Sequence, residues 1–220
     1  MCGRYSLTTP LEAMRRLFGL EGPLPNYPPR YNIAPSQDAP VVRLSDGSRE
    51  ITLMHWGLVP GWSKGPDSKF SMINARAETV AEKPAYRGAF KSRRCLVPAD
   101  GFFEWRAEGK KKQPFYIHMK DEKPFAFAGL WERWEKGAEP ITSFTIIVTE
   151  ANELLRPIHE RMPVILAPKD YARWLDPAMK KEAAQKFMRP YGPEKMALRK
   201  ISTRVNSPKN DDPEVLAPLP

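Results

Sequence analysis

The chain has 220 residues, 41% hydrophobic and 28% charged, the balance of a globular domain with enough apolar side chains for its own core. No run is long enough to span a membrane and no charged-then-apolar leader opens the chain, which predicts a protein that stays in the cytoplasm. Lys and Arg outnumber Asp and Glu 35 to 26, a net charge of +9, so an acidic partner is expected, nucleic acid first, against the alternative of a generally basic, solvated surface.

In chain order, the first clear element is a helix. Thr9 is placed to cap it, Pro10 suits its first position, Leu11, Met14, Leu17 and Phe18 form one apolar stripe, and Gly19 ends it. The proline-rich stretch Pro23 to Pro40 reads as ordered irregular chain, because Tyr27, Tyr31 and Ile33 give it something to bury. Val41 to Leu44 and Glu50 to Trp56 flank Ser45-Asp46-Gly47-Ser48, a hairpin turn. Further strands are expected at Arg94 to Val97, Phe102 to Trp105, Phe115 to Met119, Phe125 to Trp131, Phe144 to Val148 and Val164 to Leu166. Lys110-Lys111-Lys112 reads as a solvated hairpin tip. Helices return at Lys169 to Leu175 and Ala178 to Met188, and the tail from Pro208 to Pro220 reads as irregular. Many strands with few, segregated helices predict an α+β fold, a single domain over residues 1–220 with a curled, barrel-like, mostly antiparallel sheet.

The two cysteines form no disulfide framework and no CxxC pair, and His55, His118 and His159 are dispersed, so neither metal nor cofactor is expected. Cys95 sits in the apolar run Cys95-Leu96-Val97 and reads as core. Cys2 differs. If Met1 is removed, as is usual before a small residue, Cys2 carries a free α-amine beside its thiol, with ordinary pKa values of roughly 8 and 8.5. Such a 1,2-aminothiol condenses with an aldehyde to an imine, and the tethered thiol then closes a thiazolidine ring. Taken alone, Met1-Cys2-Gly3 reads as an accident of the second codon.

Four more segments combine unusual residues: Trp56-Gly57-Leu58-Val59-Pro60-Gly61-Trp62, Asn74-Ala75-Arg76-Ala77-Glu78-Thr79, Pro98-Ala99-Asp100-Gly101-Phe102-Phe103-Glu104-Trp105 and Ile158-His159-Glu160-Arg161-Met162-Pro163. Each has an ordinary reading: Asn74 as a turn cap, Glu104 as an exposed strand residue, His159 as a helix-end histidine, Trp56 as core. Together with Met1-Cys2-Gly3-Arg4-Tyr5, Tyr31-Asn32-Ile33-Ala34-Pro35 and the late Val205-Asn206-Ser207-Pro208, they resemble, in order and over almost the whole chain, the SOS response-associated peptidase (SRAP) family.

That resemblance implies a compact α+β domain with a basic DNA channel, acting as a monomer that crosslinks to abasic sites in single-stranded DNA through its N-terminal cysteine. The adduct is a thiazolidine that shields the lesion, and the peptidase activity is removal of the protein's own initiator methionine. It further implies Cys2 as nucleophile, and Asn74 as holding the Cys2 terminus or the sugar oxygen. Glu104 would be the general acid/base that opens the deoxyribose ring, its pKa raised by Phe102, Phe103 and Trp105. His159 would move a proton or contact a phosphate. Arg4, Arg76 and Arg161 would grip phosphates, and Asn32, Pro35, Trp62 and Thr149 would line the strand path. One departure stands at Ser63, where some relatives carry an aromatic wedge. It puts a preference for strand junctions in doubt, with Phe70 as a substitute.

Two other classes fit parts of the pattern. A glutamine amidotransferase-like N-terminal-nucleophile hydrolase also begins Cys-Gly, and release of ammonia from glutamine would reveal it. A non-catalytic reader of single-stranded or modified DNA would use the charge and the aromatics but give Cys2 no role.

Overall fold

The computed structural model describes residues 2–66 and 72–219. Among them the elements run in chain order β1 (Tyr5–Leu7), α1 (Leu11–Phe18), β2 (Arg30–Ile33), β3 (Asp38–Ser45), β4 (Ser48–Trp56), β5 (Asn74–Arg76), α2 (Arg87–Ser92), β6 (Arg94–Ala99), β7 (Gly101–Glu108), β8 (Lys111–Met119), β9 (Phe125–Trp134), β10 (Ile141–Glu150), β11 (Arg161–Pro163), β12 (Ile165–Leu166), α3 (Tyr171–Leu175), α4 (Lys181–Gln185) and β13 (Met196–Lys200). The fold is α+β, with two mostly antiparallel sheets and few helices, as expected.

One sheet curls. Its strands follow β10-β4-β3-β6-β9, and β9 pairs back onto β10, closing a five-stranded ring. Closure leaves no free edge around the ring. The strand β10 is longer than the ring needs. Its first half lies between β9, at Ile141 to Ile146, and β4, at Ser143 and Phe144. Its second half leaves the ring and takes up β5 along one edge and β11 along the other. The second sheet, β13-β8-β7-β1-β2, packs its inner face on the ring. Tyr5 lies edge-on to Trp56 at 5.1 Å and to Phe127 at 5.8 Å, tying β1 into the main core. Its outer face carries a smaller core of Phe103, Tyr116, Ile201, Val205 and Val215, roofed by the C-terminal tail.

Local chemistry explains most elements. Gly19 ends α1 in the left-handed region, φ 60°, where glycine carries no Cβ penalty. Asp46 and Gly47 both take positive φ, 48° and 85°, the twist that a tight β3–β4 hairpin requires. Cys95 is fully buried, as expected.

Other expectations are corrected. Thr9 does not cap α1: its hydroxyl donates to Asp100 Oδ1 at 2.7 Å, and Pro10 takes the cap position without a side-chain bond. The Pro23 to Pro40 stretch is not wholly irregular, since it contains β2 and the start of β3. The strand expected over Val164 to Leu166 shortens to β12, with β11 ending just before it, and Val164 between them donates to Ile147 O while its own carbonyl accepts from Ala128. The helix expected over Ala178 to Met188 shrinks to α4, and Phe187 turns back edge-on to Trp174. The helix at Lys169 begins as a 3₁₀ turn. The tail from Pro208 holds a 3₁₀ turn at Pro213–Leu216, and its Pro218 forms an isolated bridge with Ile201. Its Asp211 accepts the backbone N–H groups of Tyr31 and Asn32. Among the described residues no helix is long and apolar enough to cross a membrane.

Candidate active site

The chain start enters the site as a strand. Tyr5 pairs Phe102 and Ser6 pairs Gly101, and Phe103 N–H donates to Arg4 O at 3.0 Å. The pairing ends there, and Cys2, ahead of it in the chain, is buried in the main core together with Phe102. A strand alternates its faces, so Glu104 shares the inner face with Phe102, while Phe103 and Trp105 turn outward beneath the tail, where Trp105 Nε1 donates to Asn206 Oδ1 at 2.8 Å. The expectation that Phe103 and Trp105 dehydrate Glu104 is therefore corrected, because their rings lie on the opposite face.

Glu104 is only 2% exposed. Burial pushes its carboxyl above the usual carboxylate range, opposed in part by His159. Cys2 is fully buried. Burial raises its thiol pKa well above the ordinary value, the negative charge of Glu104 raises it further, and a hydrogen bond from the Arg4 backbone pulls the other way. The charge of Glu104 is thus felt at the Cys2 thiol, as between buried groups little screened by water.

The second half of β10 supplies the other wall. Through β5 it sets Asn74 beside Ile146 and Arg76 beside Val148. Through β11 it sets Arg161 beside Glu150. His159 sits in the connection just before Arg161, half-buried, and its Nδ1 accepts the Arg161 backbone N–H at 2.9 Å. That bond places the proton of a neutral imidazole on Nε2. Asn74 donates from Nδ2 to Ile73 O at 3.0 Å, while its Oδ1 is buried and has no hydrogen-bond partner among the described residues. A buried acceptor left in this state costs about 1–3 kcal/mol, so the site presents Oδ1 to an incoming N–H or O–H donor.

The structure distributes the remaining residues unevenly. Arg76 is exposed and among the described residues its guanidinium forms no ion pair. Arg161 is paired with Glu78 at 2.5 Å. Arg4 turns Nη1 to Asn32 Oδ1 and Val205 O, both at 2.8 Å, and so fastens the N-terminal strand to the tail. Trp62 is 63% exposed and Pro35 half-exposed. Two expectations fail. Asn32 is fully buried and donates to the carbonyls of Val205, Ser207 and Asn210, so it holds the tail rather than lining a path. Thr149 is 4% exposed and donates to Met188 O at 3.4 Å. Ser63 sits in the turn after Trp62, where its carbonyl accepts from Trp134 Nε1, and Phe70 lies outside the described residues.

Sequence reading overlooked Glu78 and Tyr86. The hydroxyl of Tyr86 donates to Asn74 O at 3.2 Å and steadies that strand. Glu78 lies in the turn that follows β5, so its meeting with Arg161 had no local signal. Among the described residues no cluster of three or more His, Cys, Asp or Glu could hold a metal ion.

The family model for the SOS response associated peptidase (SRAP) matches residues 1–208. The chain belongs to the SRAP family. Among its relatives, the abasic site processing protein YoqW of Bacillus subtilis is 41% identical over 98% of this chain and 99% of its own length. The abasic site processing protein HMCES of Gallus gallus is 36% identical over 88% of this chain and 67% of its own. A crystal structure of a Bacteroides thetaiotaomicron protein superposes with a TM-score of 0.90, at 30% identity, over 99% of this chain and all of that one. The SRAP fold thus accounts for the meeting of the N-terminal strand, the β7 carboxylate and the β10–β11 histidine that no short motif encodes.

Proposed function

We propose that this protein acts in DNA repair by capturing abasic sites in single-stranded DNA covalently, through the α-amine and thiol of Cys2 once Met1 is removed. The observation that carries the reading is Glu104, a dehydrated carboxyl with a raised pKa, whose charge is felt at the buried Cys2 thiol and which is itself influenced by His159. Relatives named as abasic site processing proteins support the substrate. Cytoplasmic location and a monomeric state belong to the same proposal.

An abasic sugar is mainly a closed hemiacetal. Glu104, holding its proton, donates it to the ring oxygen while the C1′ hydroxyl gives up its own, and the ring opens to the aldehyde. The Cys2 amine adds to C1′, and a proton delivered to the carbinol oxygen releases water, leaving the imine. The thiol then adds to the imine carbon as its proton passes to the nitrogen, closing the thiazolidine. Aldehyde plus aminothiol gives ring plus one water, with no oxidant or reductant. Because the Cys2 thiol resists ionisation, it needs a nearby base as the S–C bond forms, a role for the Glu104 carboxylate once its proton is gone. Asn74 Oδ1 accepts from the amine or the sugar hydroxyl, His159 Nε2–H donates to a developing hydroxyl or to a phosphate, and Arg76 and Arg161 hold flanking phosphates. Self-removal of Met1 would use the same groups, Cys2 Sγ attacking the Met1 carbonyl and water completing the cleavage.

The test mixes protein with an abasic oligonucleotide and reads a shifted band that survives denaturing electrophoresis. The native protein forms it. Cys2→Ala forms none, and Cys2→Ser yields at most an imine that borohydride must trap. A durable band from Cys2→Ala would overturn the mechanism.

A further inference from the structure

The net charge of the chain is concentrated away from Cys2. Residues 165–200 contain nine Lys and Arg against four Asp and Glu, more than half of the net +9. Five of these cations, Lys169, Arg173, Lys186, Arg189 and Lys195, line one cleft of about 600 Å³, with Asp170 as its lining carboxylate. All five are exposed.

Many arginines elsewhere in the molecule are neutralised at home. Arg15, Arg30, Arg43, Arg93, Arg106, Arg133, Arg161 and Arg204 each pair with a carboxylate. None of the five in the cleft does so among the described residues. Ring faces hold two of them instead: Arg173 Cζ lies 5.3 Å from the centroid of Phe187, and Lys195 Nζ 5.8 Å from that of Tyr191. A ring face orients a cation but leaves its charge available to an anion.

The cleft is also joined to the active site. Thr149 donates to Met188 O at 3.4 Å and Asn152 donates to Tyr191 O at 2.8 Å, fixing the cleft rim against the β10–β11 turn that carries His159 and Arg161. Thr149 is buried behind that turn, so its hydroxyl braces the rim. The cleft therefore borders the segment that carries His159 and Arg161.

We propose that the cleft lined by Lys169, Arg173, Lys186, Arg189 and Lys195 is a second phosphate-binding site, which takes the sugar–phosphate backbone of the DNA strand flanking the lesion. It extends the footprint beyond the reactive centre, gives affinity without reading bases, and keeps the lesion near Cys2 while the slower ring opening proceeds. This rests on DNA being the partner, as proposed above.

The test compares two undamaged single strands, of about 6 and about 20 nucleotides, because such sites cover roughly 4–16 nucleotides per domain. The triple variant Arg173→Ala/Lys186→Ala/Arg189→Ala changes exposed side chains only. Native protein should bind the longer strand more tightly. The variant should lose most of that advantage, and its slope of log affinity against log salt should fall by about 2, from roughly 0.7 for each of three phosphates released. Lys169→Ala/Lys195→Ala should reproduce the loss in smaller measure. Crosslinking of a short abasic strand should be unchanged in both variants.

Equal long-strand affinity and slope in the triple variant would overturn the proposal. So would an equal loss on the short strand, the mark of a general charge effect. Inorganic pyrophosphate that binds the native cleft more tightly than the long strand does would assign it to a free phosphate ligand and overturn the DNA assignment. If native protein fails to crosslink the short abasic strand, the proposed function fails, while the length comparison still reads the cleft on its own.

Discussion

The β1–β7 ladder ends in a carboxylate on each side, and the two are treated in opposite ways. At one end Asp100 is saturated. It accepts the backbone N–H and hydroxyl of Thr8 and the same two groups of Thr9, with the Thr9 hydroxyl at 2.7 Å. At the other end, four residues along, Glu104 is 2% exposed, its carboxyl held above the usual range by burial, beside a buried thiol and an imidazole. A carboxylate surrounded by donors keeps its charge and braces the chain. One stripped of water and set beside Cys2 and His159 is ready to exchange protons. The same short strand fastens the N-terminus at Asp100 so that its first residues can be presented at Glu104.

The sharpest way to break the comparison is to exchange chemistry for shape at the second end. Glu104→Gln keeps the size and most hydrogen bonding but exchanges no proton. Its single-turnover crosslinking rate with saturating protein should fall on the order of a hundred- to ten-thousand-fold, with binding of the abasic strand nearly unchanged. A rate within about twofold of native would move Glu104 to the bracing class with Asp100.

The matching change at the first end should do the reverse. Asp100→Ala leaves four donors without their acceptor and should cost about 3 kcal/mol, roughly twice the net worth of one hydrogen bond to a charged group. In a chain of this size that lowers Tm by about 6–12 °C. Thermal unfolding checks the loss, and crosslinking per folded molecule should stay near native. A catalytic loss that exceeds the folding loss would mean that Asp100 belongs to the site.

A smaller effect separates the two by pH. Folded Glu104 holds its proton to higher pH than it does in the unfolded chain. The fold therefore loses stability as pH rises from about 4, the ordinary carboxylate range, through the raised value, and the whole penalty is present once pH exceeds that value. Glu104→Gln removes it, so the variant should melt above native protein at neutral pH, by about 2–4 °C for each kcal/mol relieved. The gain should vanish near pH 4. A variant that melts below native protein at neutral pH would show that the carboxylate stabilises the fold.

The smallest effect concerns the rim. Glu78 occupies Arg161 before DNA does, whereas Arg76 forms no ion pair among the described residues. Arg76→Ala should lower the salt slope of single-strand binding by about 0.7, and Arg161→Ala by less, because part of its charge is already matched. Titrations at several salt concentrations check both, and a change of base preference with an unaltered slope would remove these residues from phosphate contact.

Periodicity and turn chemistry made much of the scaffold legible. The stripe of α1 with its closing Gly19, the Asp46-Gly47 hairpin and the long apolar strands were all readable because their signals are local. The short strands β1, β2 and β5 were not, since three or four residues carry too little pattern and owe their form to partners far along the chain. Thr9 was misread as a cap because its real partner, Asp100, is 91 residues away. At the site, residue types and order drew attention to Cys2, Asn74, Glu104, His159, Arg76 and Arg161. What they could not show was that Asn32 and Thr149 face inward, or that Glu78 meets Arg161, because such facts depend on the tail folding back over β2 and on the crossing of β5, β10 and β11. Gly101 shows the same limit. A Cβ there would collide with the ring of Tyr116, whose hydroxyl shares a hydrogen bond with Ser6 at 2.9 Å.

The central claim, that the amine and thiol of Cys2 act together on C1′, is tested most directly by mass spectrometry of the N-terminal peptide after reaction with an abasic strand. The account predicts an adduct on a peptide that begins at Cys2, with the mass of the sugar aldehyde added and one water lost. Its thiol should no longer be alkylated, and borohydride should leave its mass unchanged because no imine remains. An adduct on a lysine, one that borohydride reduces, or equal crosslinking by a variant that keeps extra residues before Cys2 would contradict it.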